Sequence, residues 1–110
     1  MSVIVRKNLD EPDGTSEFEH GRSGGVQVGD SELWRSELEP GWSWDVDVKP
    51  YAGDWTSCQL THYEYVLEGR IRYLMEDGTE VTAGPGDHLY IGPGHRAWVL
   101  GDERCVTLDW

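Results

Sequence analysis

Tyr65-Val66-Leu67-Glu68-Gly69-Arg70 and Gly84-Pro85-Gly86-Asp87-His88-Leu89-Tyr90-Ile91-Gly92-Pro93-Gly94-His95 are the two stretches whose reading decides the fold. Each joins a short apolar run to a turn built on glycine. Gly69 stands where the chain must reverse, and a turn that needs φ > 0 costs glycine almost nothing. Gly86 precedes Asp87, whose carboxylate can hydrogen-bond its own turn. Pro93-Gly94 ends one strand and redirects the chain. Between the two stretches, alternation puts Ile71 and Tyr73 on one face of a strand and Arg70, Arg72 and Leu74 on the other. Asp77-Gly78 is then a two-residue hairpin signal.

The same rhythm extends outward. Short apolar alternations at 26–28, 32–39, 42–48, 56–60, 63–67, 70–75, 79–82, 88–91, 97–100 and 105–108 are divided by turn residues. Strands of this length at nearly regular spacing predict an all-β sandwich or barrel. No long window keeps a helical period, so little or no helix is expected. Residues 10–25 are polar, acidic and Gly-rich and read as irregular. The division expected is an N-terminal arm, 1–25, and one barrel domain, 26–110. Val3-Ile4-Val5 reads as a strand able to add to a sheet edge, whether of this barrel or of another subunit's.

Composition narrows the function classes. Nine Lys and Arg against twenty-one Asp and Glu give a formal charge of -12. That excludes phosphate backbones, which are held by clustered cations, and with them nucleic-acid partners. It equally opposes anionic membrane surfaces. Six Trp and five Tyr are too many for a disordered chain. No segment resembles a signal peptide or a membrane span, so a cytoplasmic protein is expected. Cys58 and Cys105 are too few for a disulfide scaffold, although one bridge between them stays open.

The two glycine-rich stretches resemble the motifs of the cupin superfamily. Its first motif ends in a "YVLEG"-like turn, its second opens "PGD…IP.G", and residues 71–83 look like the hairpin between them. The resemblance covers 26–110 and implies a jelly-roll β-barrel with a concave mouth for a small ligand. More narrowly, Pro40-Gly41-Trp42-Ser43-Trp44, Cys58-Gln59, His62 and Pro93-Gly94-His95-Arg96-Ala97-Trp98 are similar to a group of small single-domain bacterial cupins.

Against the metal motif of that superfamily the chain departs at every ligand. A His-x-His pair falls on Thr56 and Cys58, the usual Glu on His62, and the last His on Ala97. The site is either rebuilt or lost. A rebuilt site would use Cys58, His62 and His95, a set suited to a divalent metal such as Zn, Fe, Cu or Ni. Without metal, His62 and Glu64, two apart on one strand, make an acid–base pair. In the competing reading Glu64 points outward and satisfies Arg70 or Arg72. Cys58 beside His62 is a further candidate nucleophile.

Trp98, Tyr65, Tyr90 and Gln59 are the expected ligand-binding residues. Trp42 and Trp44, on one face of a presumed strand, read equally well as core. His20 reads as solvated, and His88 as part of the barrel wall. The function expected is a homodimeric cupin that processes a small organic molecule by isomerase, cyclase, lyase or oxygenase chemistry centred on His62. The alternative is a non-catalytic binding or sensing cupin that has lost its metal.

Overall fold

The structure is a computed structural model, and residues 2–110 are described. The described residues form nine strands: β1 (Gly14–Phe18), β2 (Gly21–Val28), β3 (Ser31–Leu38), β4 (His62–Glu68), β5 (Ile71–Met75), β6 (Glu80–Ala83), β7 (His88–Ile91), β8 (His95–Val99) and β9 (Cys105–Asp109). They make a six-stranded sheet of order β1-β2-β3-β9-β4-β7 and a three-stranded sheet of order β6-β5-β8. Every pairing is antiparallel.

The two inner faces meet over one core. Leu38, Val66 and Cys105 come from the larger sheet, and Ile71, Tyr73, Ala83, Ala97 and Val99 from the smaller. Ile71 and Tyr73 share the buried face of β5, as its alternation predicts. The turns follow the expected chemistry. Gly69 has φ +74°, and a Cβ there would lie 2.3 Å from the Arg104 carbonyl oxygen, so no other residue fits. The Asp87 carboxylate accepts the Gly84 N–H at 2.8 Å and ties the second motif's turn.

Four expectations are corrected. Residues 14–25 are not irregular: β1 and β2 form a hairpin that carries the six-stranded sheet outward, and the 25/26 boundary falls inside β2. The glycines there permit close approach, for a Cβ on Gly25 would meet the Trp34 ring at 2.4 Å. Val3, Ile4 and Val5 belong to no strand and are 72%, 96% and 55% exposed.

Residues 42–48 are not a strand. Trp44–Val48 is a π-helical turn, followed by a 3-10 turn at Lys49–Tyr51. Ser43 starts the π turn by accepting the Val46 N–H, while the Asp47 carboxylate accepts the Ser43 N–H at 3.1 Å. Such local side-chain partners offer the backbone an alternative to a ladder. Residues 56–60 contribute only a single bridge, Cys58 to His95. Cys58 and Cys105 are both buried free thiols. No helix of the described residues is long and apolar enough to cross a membrane.

Candidate metal and acid–base site

A cavity of about 210 Å³ opens between the sheets. Strand alternation decides what reaches it. On β4, His62 and Glu64 line it and Tyr63 and Tyr65 do not; on β8, His95 and Ala97 line it and Trp98 does not; on β9, Thr107 and Asp109 line it. Cys58 arrives from a loop. Its N–H donates to the His95 carbonyl at 2.8 Å and its own carbonyl accepts the Gly94 N–H at 2.7 Å, which fixes it opposite His95.

Cys58, His62 and His95 thus offer three ligand atoms that all lie within 4.8 Å of one another. Cys58 Sγ is 3.7 Å from His62 Nε2. Bonds of about 2.3 Å to sulfur and about 2.05 Å to nitrogen at a tetrahedral angle separate the two donors by roughly 3.6 Å, so the spacing suits a metal of that class. The ring orientations suit it too. His95 Nδ1 lies 2.6 Å from the Gly92 carbonyl oxygen, which can only accept; Nδ1 therefore carries the proton and Nε2 keeps its lone pair. His62 Nδ1 lies 3.8 Å from Asp109 Oδ1, a carboxylate behind the imidazole. Burial, with His95 nearby as a second cause, lowers His62 to about 4, and burial lowers His95 as well. Both shifts favour the neutral, ligating form of the imidazole. Burial pushes the Cys58 thiol up, so a metal would have to displace its proton.

Beside this triad sits a carboxyl pair. Glu64 and Asp109 are cross-strand partners of β4 and β9. Glu64 is 3% exposed, and the Tyr73 hydroxyl lies 2.8 Å from each of its carboxyl oxygens. Burial first, and the charge of Asp109 second, push Glu64 up to about 8; burial raises Asp109 to about 6. The pair titrates as a unit and retains a proton near neutrality. Glu64 is therefore inward, and its partner is Tyr73 rather than Arg70 or Arg72.

The expected ligand-binding residues are not brought to the cavity. Trp98 and Tyr65 occupy the outward register of β8 and β4. Tyr90 is 67% exposed and packs edge-on against Tyr63. Gln59 is exposed and donates to the Ser57 hydroxyl at 3.0 Å. Trp42 and Trp44 line the cavity in their place. His20 is not free in solvent: its ring nitrogen lies 3.0 Å from the Asp47 carboxylate, whose side chain is wholly buried. His88 sits on the wall, 3.0 Å from the Glu64 carbonyl oxygen and stacked on Trp110. Asp109 and Tyr73 are site residues that the sequence reading passed over. The alternation Cys105, Thr107, Asp109 along the last strand was the available signal for Asp109.

Comparison with known proteins agrees with this architecture. No protein-family model matches the chain, and no curated protein is significantly similar to it. Solved structures do match. An oxalate decarboxylase from Lactobacillus farciminis, in a formate complex, superposes with a TM-score of 0.66 at 14% identity over 99% of this chain and 33% of its own. A DUF1255 protein of unknown function from Acidithiobacillus ferrooxidans gives 0.64 at 18% identity, over 90% of this chain and 87% of its own. A cupin-2 domain from Rhodospirillum rubrum gives 0.60 at 19% identity, over 96% of this chain and 65% of its own. The chain has the cupin fold. It spans about a third of the length of the oxalate decarboxylase.

Proposed function

We propose that this cupin processes a small organic molecule at a transition-metal site formed by Cys58, His62 and His95. The observation that carries the reading is the convergence of those three ligand atoms within 4.8 Å at the edge of the cavity. A bound metal of the Zn, Fe, Cu or Ni class would polarise an oxygen of the substrate. The chain's own residues supply the rest. Glu64 holds a proton beside the ligand set, the Tyr73 hydroxyl orients that carboxyl, and Asp109 faces both Glu64 and His62. A held proton next to a Lewis-acid position favours isomerase, cyclase or lyase chemistry over oxygenase chemistry. The oxalate decarboxylase neighbours support a lyase by fold analogy only.

Elemental analysis of protein purified without chelator tests the reading. Near-stoichiometric metal is expected, falling at least tenfold in His62→Ala. A wild-type protein that stays metal-free after incubation with each of the four metals overturns it. The exposed aromatics Tyr63, Tyr90 and Trp110, with the exposed Val3, Ile4 and Val5, support a homodimer, which light scattering checks.

A further inference from the structure

Of the three candidate ligands, Cys58 alone is carried by no strand. His62 opens β4 and His95 opens β8, whereas residues 52–61 form neither helix nor strand apart from the single Cys58–His95 bridge. A ligand has to be held to within about 0.5 Å, so this loop needs a tie besides that bridge. The side chain next to Cys58 supplies one. Ser57 is 2% exposed, and its hydroxyl donates to Glu76 Oε1 at 2.5 Å while accepting from Gln59 Nε2 at 3.0 Å. A hydrogen bond to a carboxylate is of the stronger kind.

Glu76 is tied to the other side of the site as well. It follows β5 directly, where Met75 pairs with His95 of β8, and its N–H donates to the Gly94 carbonyl at 3.0 Å. Gly94 has φ +95°, and the Glu76 carboxyl lies 3.5 Å from where a Cβ would stand, so the carboxyl crosses this turn beside His95. A ring is closed. Side chains join Ser57 to Glu76, and main-chain bonds join Glu76 to Gly94, Gly94 to Cys58 and Cys58 to His95. Among the described residues Glu76 makes no ion pair, so its side chain serves a buried hydroxyl rather than a cation. We infer that Ser57 and Glu76 are the positioning pair of the site: their bond sets where the Cys58 sulfur stands relative to His62 and His95, and so how tightly a metal is held. The inference rests on the ligand reading above for what Cys58 is positioned to do, and on the ring of bonds for how it is positioned.

Ser57→Ala, Glu76→Ala, Glu76→Gln and the double alanine variant test it, since all keep the main-chain bond from Glu76 to Gly94. Co(II) is titrated into the metal-free protein. Alkylation of Cys58 by iodoacetamide is timed in the same protein without metal and read at the Cys58 peptide by mass spectrometry. Each alanine variant is expected to bind Co(II) about tenfold more weakly, with a fainter thiolate-to-cobalt band, as when a ligand loses its outer partner. Glu76→Gln keeps an acceptor and should stay within about threefold of wild type. The double variant should fall no further than either single one, because both changes remove the same bond. Alkylation should be about tenfold faster in the alanine variants, whose loop opens more readily. Alanine variants with wild-type affinity, band and alkylation rate overturn the inference. So do losses that add in the double variant, a Glu76→Gln loss as large as that of Glu76→Ala, or lowered unfolding stability with the band and alkylation rate unmoved. A wild-type protein that takes up no Co(II) refutes the metal site, and the alkylation rates then decide the positioning pair by themselves. A wild-type site that binds Co(II) no better than its alanine variants refutes this inference alone.

Discussion

Glu64 on β4 and Asp109 on β9 face each other directly across the strand pair, two carboxyl groups in register at the edge of an apolar cavity. Two like charges cannot both be kept there cheaply, and the fold resolves the conflict by holding a proton on Glu64. That arrangement costs the folded protein stability as the pair ionises, and it has a measurable pH signature.

Glu64 binds its proton more tightly in the folded protein than in the unfolded chain, so its contribution is fully favourable below its usual 4.5 and is lost as pH rises to about 8. Glu64→Gln keeps an acceptor for Tyr73 and removes the titration. In chelator-treated protein the variant should match wild type near pH 4.5 and gain on it steadily, by about 2 kcal/mol at pH 8 after sharing with Asp109. Urea denaturation at several pH values measures this, and a pH-independent difference would show that Glu64 is not buried as described.

His20 and Asp47 lie 27 positions apart and close the π-helical turn onto the β1–β2 hairpin. The Asp47 carboxylate also accepts the N–H groups of His20 and Ser43 at 2.9 and 3.1 Å. His20→Ala leaves those two bonds in place and should cost about 1 kcal/mol. Asp47→Ala abandons two part-buried backbone donors and the His20 ring, and should cost about 3 kcal/mol. Equal costs in urea denaturation would mean that the backbone donors find other partners.

Gly69 and Gly78 both have positive φ, +74° and +91°, but only Gly69 is crowded; around Gly78 nothing lies within 4 Å. Gly78→Ala should cost about 1–2 kcal/mol, the strain of the left-handed conformation alone. Gly69→Ala must also displace the Arg104 carbonyl and should cost more than about 3 kcal/mol. Comparable denaturation midpoints would place the chain reversal elsewhere.

What was legible in the sequence was local. Gly69, Gly78, Gly86 and Asp87 announce their turns because φ and self-capping are decided within a few residues. Ile71 and Tyr73 announce their face because β5 alternates cleanly. Cys58, His62 and His95 could be gathered from the spacing of the cupin motifs. Trp98 was misplaced by one register step: Ala97 holds the inward position, and a single step reverses every side chain. Trp44 was misread as strand because Ser43 and Asp47, and not hydrophobic period, set its backbone. Glycines at 24 and 25 read as part of an irregular arm by composition, yet they make room for Pro12 and Trp34. Asp109 escaped because its meaning depends on Glu64, a partner 45 positions earlier that only strand pairing reveals.

The account stands on Cys58, His62 and His95 acting together as ligands, and Co(II) titration of the metal-free protein tests that most directly. The prediction is saturation at one equivalent, with a thiolate-to-cobalt charge-transfer band that vanishes in Cys58→Ser and intense d–d absorption of a low-coordinate site. Saturation without a thiolate band, or a band unchanged in Cys58→Ser, would contradict it.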